Sequence, residues 1–201
     1  MTVWTFGHII HTMKHRFKNT CPDAKALLDG CDKISTFMQR INKLSEQWKD
    51  NGLGWSADEY KGDAFEALAE VFVNASPIDK RLNLASYEPA DRKKHGRDMG
   101  VDGYGLSHDG KRHCVQVKYR SNVNEDLTTK DGISNFAAFV GLNPEYRDAD
   151  LTIITTARGL NQVLAEEMYS GRIRTLGYGD LRKMLDKNGA FWDLFRREMG
   201  L

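Results

Sequence analysis

Gly100-Val101-Asp102-Gly103-Tyr104-Gly105-Leu106-Ser107-His108-Asp109-Gly110-Lys111-Arg112-His113-Cys114-Val115-Gln116-Val117-Lys118-Tyr119-Arg120 is the stretch from which the fold is read. Asp109-Gly110 marks a tight turn, because Gly reaches the backbone conformations that such turns require. Beyond the turn, Val115, Val117 and Tyr119 fall on one parity and Cys114, Gln116 and Lys118 on the other, which predicts a strand over 112–120 with one core face. Residues 100–106 supply its antiparallel partner, so the segment folds as a hairpin.

Working outward, Ser56 is an N-cap with Glu59 three residues later, followed by Phe65, Leu68, Ala69 and Phe72 at helical spacing. That helix is expected to end near residues 74–77. A short strand is expected over 82–87. After the hairpin come a helix over 132–140, a buried strand over 151–155, helical spacing over 162–168, a strand over 173–176, and closing helices over 180–185 and 191–199. This order predicts an α/β fold with a mixed sheet flanked by helices. Residues 1–59 read as a helical amino-terminal extension, with one apolar stripe from Trp4 through Phe6, Ile9, Ile10 and Met13 to Phe17 and another from Ile34 to Trp48. Residues 60–201 form the α/β core. No internal repeat or low-complexity segment interrupts either part.

The chain has 201 residues, of which 40% are hydrophobic, and should bury roughly 70% of its unfolded surface. Disorder and collagen-like composition are excluded. No run of about 18 uncharged apolar residues occurs and no signal-peptide pattern opens the chain, so the expectation is a cytoplasmic protein without a membrane segment. Cys21, Cys31 and Cys114 have no CxxC or CxxH spacing and are read as reduced thiols. Twenty-nine Lys and Arg against 28 Asp and Glu leave a net charge of +1, which excludes a broadly polycationic nucleic-acid coat. A nucleic-acid site must therefore be local. The window from Asp91 to Arg120 carries eight basic residues against four aspartates.

That same window carries the chemistry. Gln116 and Lys118 project from one face of their strand, and the hairpin brings Asp102 beside them. An Asp between glycines lets a cation approach the backbone, and its oxygen is a hard ligand suited to Mg²⁺ or Mn²⁺. A lysine beside such a cation can hold a phosphate oxygen or a water nucleophile. On the upstream helix Asp63, Glu66 and Glu70 share one side. Glu66 follows Phe65 directly, at the edge of the buried stripe, where a carboxylate can face the hairpin.

Gly62 and Phe65-Glu66 in a helix, then Gly100-Val101-Asp102-Gly103, then Gln116-Val117-Lys118, resemble the acid, GxD and QxK elements of the PD-(D/E)xK nuclease superfamily, and its Mrr-like restriction endonuclease branch in particular. Leu151-Thr152-Ile153-Ile154-Thr155-Thr156-Ala157 is similar to the threonine-ended strand that follows the QxK strand in that branch. The resemblance spans about residues 60–186. It implies a restriction-endonuclease-like fold and a Mg²⁺- or Mn²⁺-dependent DNA endonuclease that leaves 5′-phosphate and 3′-hydroxyl ends. By the same resemblance Asp102 is the central metal ligand, Glu66 acts directly or through water, and Lys118 orients or activates the hydrolytic water. Gln116 stands at the second acidic position, where its amide oxygen or the carbonyl of Val117 could coordinate. An amide there carries less charge than a carboxylate and lowers metal affinity. Arg92, Lys93, Lys94, Arg97 and Arg120 are the candidates for backbone phosphates. Partners by this reading are DNA, with a homodimer or a larger helicase or methyltransferase assembly around it. No GxxxxGK[ST] occurs, so any ATP-driven step belongs elsewhere.

Plainer readings stand beside these. Taken singly, Asp102 suits a turn, Gln116 and Lys118 the wet face of a strand, and Glu66 a solvated helix edge. His8, His11 and His15 fall at helical spacing and read as a polar helix flank, since no Cys or acidic partner lies nearby in sequence. His113 has core parity, His108 lies by the turn, and neither is given a catalytic role. Trp4, Phe6 and Trp48 serve either to pack the core or to form a partner surface. From another functional class, the chain could be a nuclease-fold nucleic-acid-binding or assembly module within a larger restriction or repair system. RNA or branched DNA is a further substrate class.

Overall fold

The structure is a computed structural model in which residues 12–48, 56–75, 84–90, 100–168 and 173–201 are described. Four helices open it: α1 (Phe17–Thr20), α2 (Ala24–Leu28), α3 (Ile34–Trp48) and α4 (Ala57–Ala75). The strands β1 (Leu84–Pro89), β2 (Gly103–Ser107) and β3 (Arg112–Lys118) follow. Next come β4 (Asp126–Leu127), α5 (Ile133–Leu142), β5 (Asp150–Thr155), β6 (Gly159–Leu160) and β7 (Ile173–Leu176). Two helices, α6 (Tyr178–Leu185) and α7 (Gly189–Glu198), close the chain.

One five-stranded sheet has the order β1-β2-β3-β5-β7, and β4 pairs with β6 in a separate two-stranded ladder. The strands β1, β2 and β3 pair antiparallel, whereas β3–β5 and β5–β7 are parallel. The mixed sheet flanked by helices is as the residue patterns predict. So is the hairpin, whose register sets Gly103 opposite Val115 and Tyr104 opposite Cys114. Its turn is closed by the Gly110 N–H to the Ser107 carbonyl at 2.9 Å and the Ser107 N–H to the Lys111 carbonyl at 2.8 Å.

The expectation of a single core face on β3 is corrected. Cys114, Val115 and Gln116 are all fully buried. β3 is central, and both of its faces are covered. Val115 and Val117 belong to the cluster that contains Phe65, Leu68 and Phe72 of α4, while Cys114 belongs to the cluster of Phe136 and Val140 on α5 and Ile153 on β5. A strand covered twice loses its polar parity.

The helix α4 begins as its sequence dictates. The Ser56 hydroxyl accepts the Glu59 N–H at 3.1 Å, and the Glu59 carboxylate accepts the Ser56 N–H at 2.8 Å, a reciprocal cap that satisfies two end donors. The helix α3 presents Ile34, Phe37, Met38, Ile41 and Leu44 to the interior at helical spacing. Phe37 meets Trp192 and Phe195 of α7 at centroid distances of 6.0 and 5.7 Å. The described part of the amino-terminal extension thus shares one buried cluster with α4, β3, α6 and α7. Trp192 is the largest side chain fully enclosed there, and its indole N–H donates to the Leu185 carbonyl at 2.8 Å.

The amino-terminal stripe departs from its expected helix. Trp4, Phe6, Ile9 and Ile10 lie outside the described residues. Met13 and Phe17 are buried as expected, but residues 12–16 are not helical. The backbone N–H groups of Met13, Lys14 and His15 instead donate to the carboxylates of Glu198, Glu70 and Glu70 at 2.8, 2.7 and 2.8 Å. Acids on two other helices satisfy these donors, so a helical turn is not needed to do so. The segment Met13–Arg16 forms a strap across α4.

Candidate functional site

The motif strands meet at the end of the sheet where β2 begins and β3 ends. Asp102 extends the β2–β3 ladder by one rung, its N–H donating to the Val115 carbonyl at 2.9 Å. Its Oδ2 accepts the Val117 N–H at 2.7 Å. This side-chain bond holds the carboxylate against the QxK strand. The flanking glycines have steric reasons. Gly100 has φ +73, and a Cβ there would lie 3.0 Å from the Phe136 nitrogen and 3.2 Å from Gln116 Nε2. A Cβ on Gly103 would lie 2.2 Å from the Tyr87 ring.

Glu66, Asp102, Val117 and Lys118 line one cavity of about 540 Å³. They reach it from three segments: Glu66 from the middle of α4, Asp102 from the entry to β2, and Val117 and Lys118 from the end of β3. Arg120 also lines this cavity, as do Lys61 and Tyr119. The Lys118 ammonium lies 3.7 Å from where a Cβ on Gly132 would stand, beside the start of α5. Burial pushes the Tyr119 phenol above its ordinary pKa, although hydrogen bonds to Ser121 and Asn42 draw it down.

Gln116 takes a different place. It keeps the strand parity of Lys118 but is fully buried, beneath Gly100 and the first turn of α5, and is not among the residues lining the cavity. Neither its Oε1 nor its Nε2 has a hydrogen-bond partner among the described residues. Arg120 lines the cavity with its guanidinium engaged: Nε donates to Asp131 Oδ1 at 2.9 Å and Nη1 to the Tyr119 carbonyl at 2.7 Å. Arg92, Lys93, Lys94 and Arg97 lie outside the described residues.

Sequence reasoning missed the role of the strap. His15, read as a polar helix flank, is corrected: it is buried, lies before α1, and its Nε2 stands 3.0 Å from Glu66 Oε2. Its Nδ1 accepts the Phe17 N–H at 3.2 Å. Arg16 forks onto Asp63, with Nε to Oδ2 at 2.8 Å and Nη2 to Oδ1 at 3.0 Å. Both Asp63 and Glu70, which share the Glu66 side of α4, are buried. The three acids on that side are therefore all engaged by the four-residue strap. The only hint in the sequence is the helical spacing of Asp63, Glu66 and Glu70, three and then four positions apart, next to an apolar stripe, which shows acids near a core and does not show what meets them.

The donor atoms of His15, Asp63 and Glu66 lie within 4.8 Å of one another. The hydrogen bonds make this a network of donors and acceptors. With Nδ1 of His15 accepting from Phe17, Nε2 is the ring's N–H and faces Glu66 as a donor, and Asp63 is chelated by Arg16. Of the carboxylates that line the cavity, those of Asp58, Glu59, Asp63, Glu66 and Asp102, the pair Glu66 and Asp102 comes from two different elements and offers the hard oxygen donors that suit Mg²⁺ or Mn²⁺, with Val117 lining the same space. No helix among the described residues is long and apolar enough to cross a membrane. No protein-family model and no curated protein matches the chain.

Proposed function

We propose that this chain is a Mg²⁺- or Mn²⁺-dependent DNA endonuclease of the PD-(D/E)xK type, with a restriction-endonuclease-like core of the Mrr-like branch. The observation that carries this reading is the convergence of Glu66, Asp102 and Lys118 on one cavity from segments far apart in the chain. A mixed sheet with an antiparallel hairpin feeding a parallel pair agrees with it.

Asp102 and Glu66 would hold the cation, with the Val117 carbonyl beside them. When bound, such a cation lowers the pKa of its water and stabilises charge on phosphate oxygens. Lys118 faces the same space with a compact positive charge, suited to a non-bridging phosphate oxygen or to orienting the attacking water. Arg120, braced by Asp131, presents a fixed guanidinium at the rim for a neighbouring phosphate. These contacts act on the backbone of the polymer and carry no sequence information. The products would be a 5′-phosphate and a 3′-hydroxyl.

The test is incubation of supercoiled, linear, single-stranded and branched DNA with Mg²⁺ or Mn²⁺, comparing wild type with Asp102→Ala and Lys118→Ala. Metal-dependent cleavage that falls roughly 100-fold or more in both variants supports the reading. A second reading is a nucleic-acid-binding or assembly module on the same fold. It is favoured by the burial of Gln116 away from the cavity, which leaves the site one ligand poorer. DNA binding without cleavage by wild type under every condition would select it.

A further inference from the structure

The amino-terminal strap reaches residues that line the cavity through two side chains, Arg16 on Asp63 and His15 on Glu66, and the second of these meets a proposed metal ligand. His15 is separated from Glu66 by 51 positions in sequence and lies 3.0 Å from its Oε2, in a buried contact. The backbone on either side of His15 is fixed. Its own N–H and that of Lys14 are accepted by the two oxygens of Glu70, and Arg16 is forked onto Asp63. The ring is also fixed in its plane and its tautomer, because Nδ1 accepts the Phe17 N–H and leaves Nε2 to donate. Bonds made by four consecutive residues, Lys14 to Phe17, thus combine to aim one N–H at one carboxylate oxygen. Glu66 lines the cavity, so the contact joins the strap to a carboxylate of the proposed site.

We infer that His15 is a positioning residue for the nuclease reaction, orienting the Glu66 carboxylate toward the cation and water in the cavity, so that the amino-terminal strap is part of the working site. This rests on the reading of the chain as a metal-dependent nuclease. A hydrogen bond donated to a carboxylate that holds a metal fixes its orientation and is commonly worth about 10- to 100-fold in metal affinity or activity. The strap needs no contact with DNA to exert this effect. Nor does His15 exchange protons with the substrate, since its N–H is directed at Glu66.

Two substitutions separate the two ring contacts. In His15→Asn the short amide can still accept the Phe17 N–H but cannot reach Glu66. In His15→Gln the longer amide places an N–H near the position of Nε2 and restores the donor to Glu66. The experiment measures three quantities for wild type and both variants of the full chain: the single-turnover cleavage rate, the dissociation constant for Mn²⁺ by titration calorimetry, and DNA affinity without metal. The expected result for His15→Asn is a rate lowered about 10- to 100-fold, Mn²⁺ binding weakened by a similar factor and DNA affinity unchanged. His15→Gln should regain most of the rate and of the Mn²⁺ affinity. Equal losses in the two variants, or a larger loss for His15→Gln, would assign His15 to strap folding alone and overturn the inference. Wild-type cleavage that disappears in Asp102→Ala and persists undiminished in His15→Asn would overturn the inference while leaving the nuclease reading intact. Wild type that neither binds Mn²⁺ nor cleaves removes both.

Discussion

The Asp102 carboxylate accepts the Val117 N–H at 2.7 Å, so the acid of one motif is clipped to the middle residue of the other. One oxygen of Asp102 therefore serves the sheet. Asp102→Asn keeps an oxygen for Val117 and removes the charge, whereas Asp102→Ala leaves a backbone donor without its acceptor. Asp102→Asn should unfold within about 1 kcal/mol of wild type and cut DNA roughly 100-fold more slowly, while Asp102→Ala should lose a further ~1–2 kcal/mol. Urea denaturation alongside the cleavage assay checks both. Equal stability of the two variants would show that the clip contributes nothing.

Glu70 is fully buried, and each of its oxygens accepts one backbone N–H of the strap. In Glu70→Gln one oxygen becomes an amide that opposes a backbone donor. The expected cost is about 1–3 kcal/mol, seen as a lower urea midpoint. Because the strap carries His15, the same variant should also slow cleavage. A variant as stable as wild type would show that the strap is not held by Glu70.

His113 is fully buried between Ser107 and Thr152, with its Nε2 2.7 Å from the Thr152 hydroxyl. Burial lowers its pKa to about 4 from the usual 6.5. Between those values the unfolded chain takes up a proton that the folded chain refuses. Stability is therefore full above pH 6.5, falls as the pH drops toward 4, and loses about 3 kcal/mol from this group. Surface carboxylates held low by ion pairs add their own loss at acid pH. His113→Gln removes only the histidine contribution, so its urea stability should vary less steeply than that of wild type from pH 6.5 to 4. Parallel curves would contradict a neutral buried His113.

Gly100→Ala places a Cβ in the left-handed region and 3.0 Å from the Phe136 nitrogen. Strain and crowding together should cost about 1–2 kcal/mol and press on Gln116 and the start of α5. Thermal unfolding with hydrogen exchange across 133–142 would register this. An unchanged melting curve would mean that the loop before β2 gives way freely.

The parts of this molecule legible in its sequence are those set by local rules. The Ser56–Glu59 cap, the β-branched strand ending at Thr155, and the hairpin around Asp109-Gly110 all depend on residues a few positions apart. So do the parity of Val115 and Val117 and the position of Glu66 at the edge of an apolar stripe. What escaped was decided by distant packing. Gln116 has the alternation of a solvated residue, and only the placement of α5 over β3 buries it. His15 has no acidic neighbour in sequence, yet the fold returns it to Glu66. The strap lost its expected helix because carboxylates on α4 and α7 bind its backbone, and no local pattern encodes that competition.

The most direct test of the central claim is the single-turnover cleavage of end-labelled duplex DNA in Mg²⁺ by wild type and by Lys118→Met, which keeps an unbranched side chain one atom shorter and removes its charge. The account predicts cleavage by wild type that leaves 5′-phosphate ends and stops on chelation of the metal, and a rate roughly 100-fold or more lower in Lys118→Met with DNA affinity little changed. Cleavage of equal rate in both proteins, or none in wild type under any metal, would contradict it.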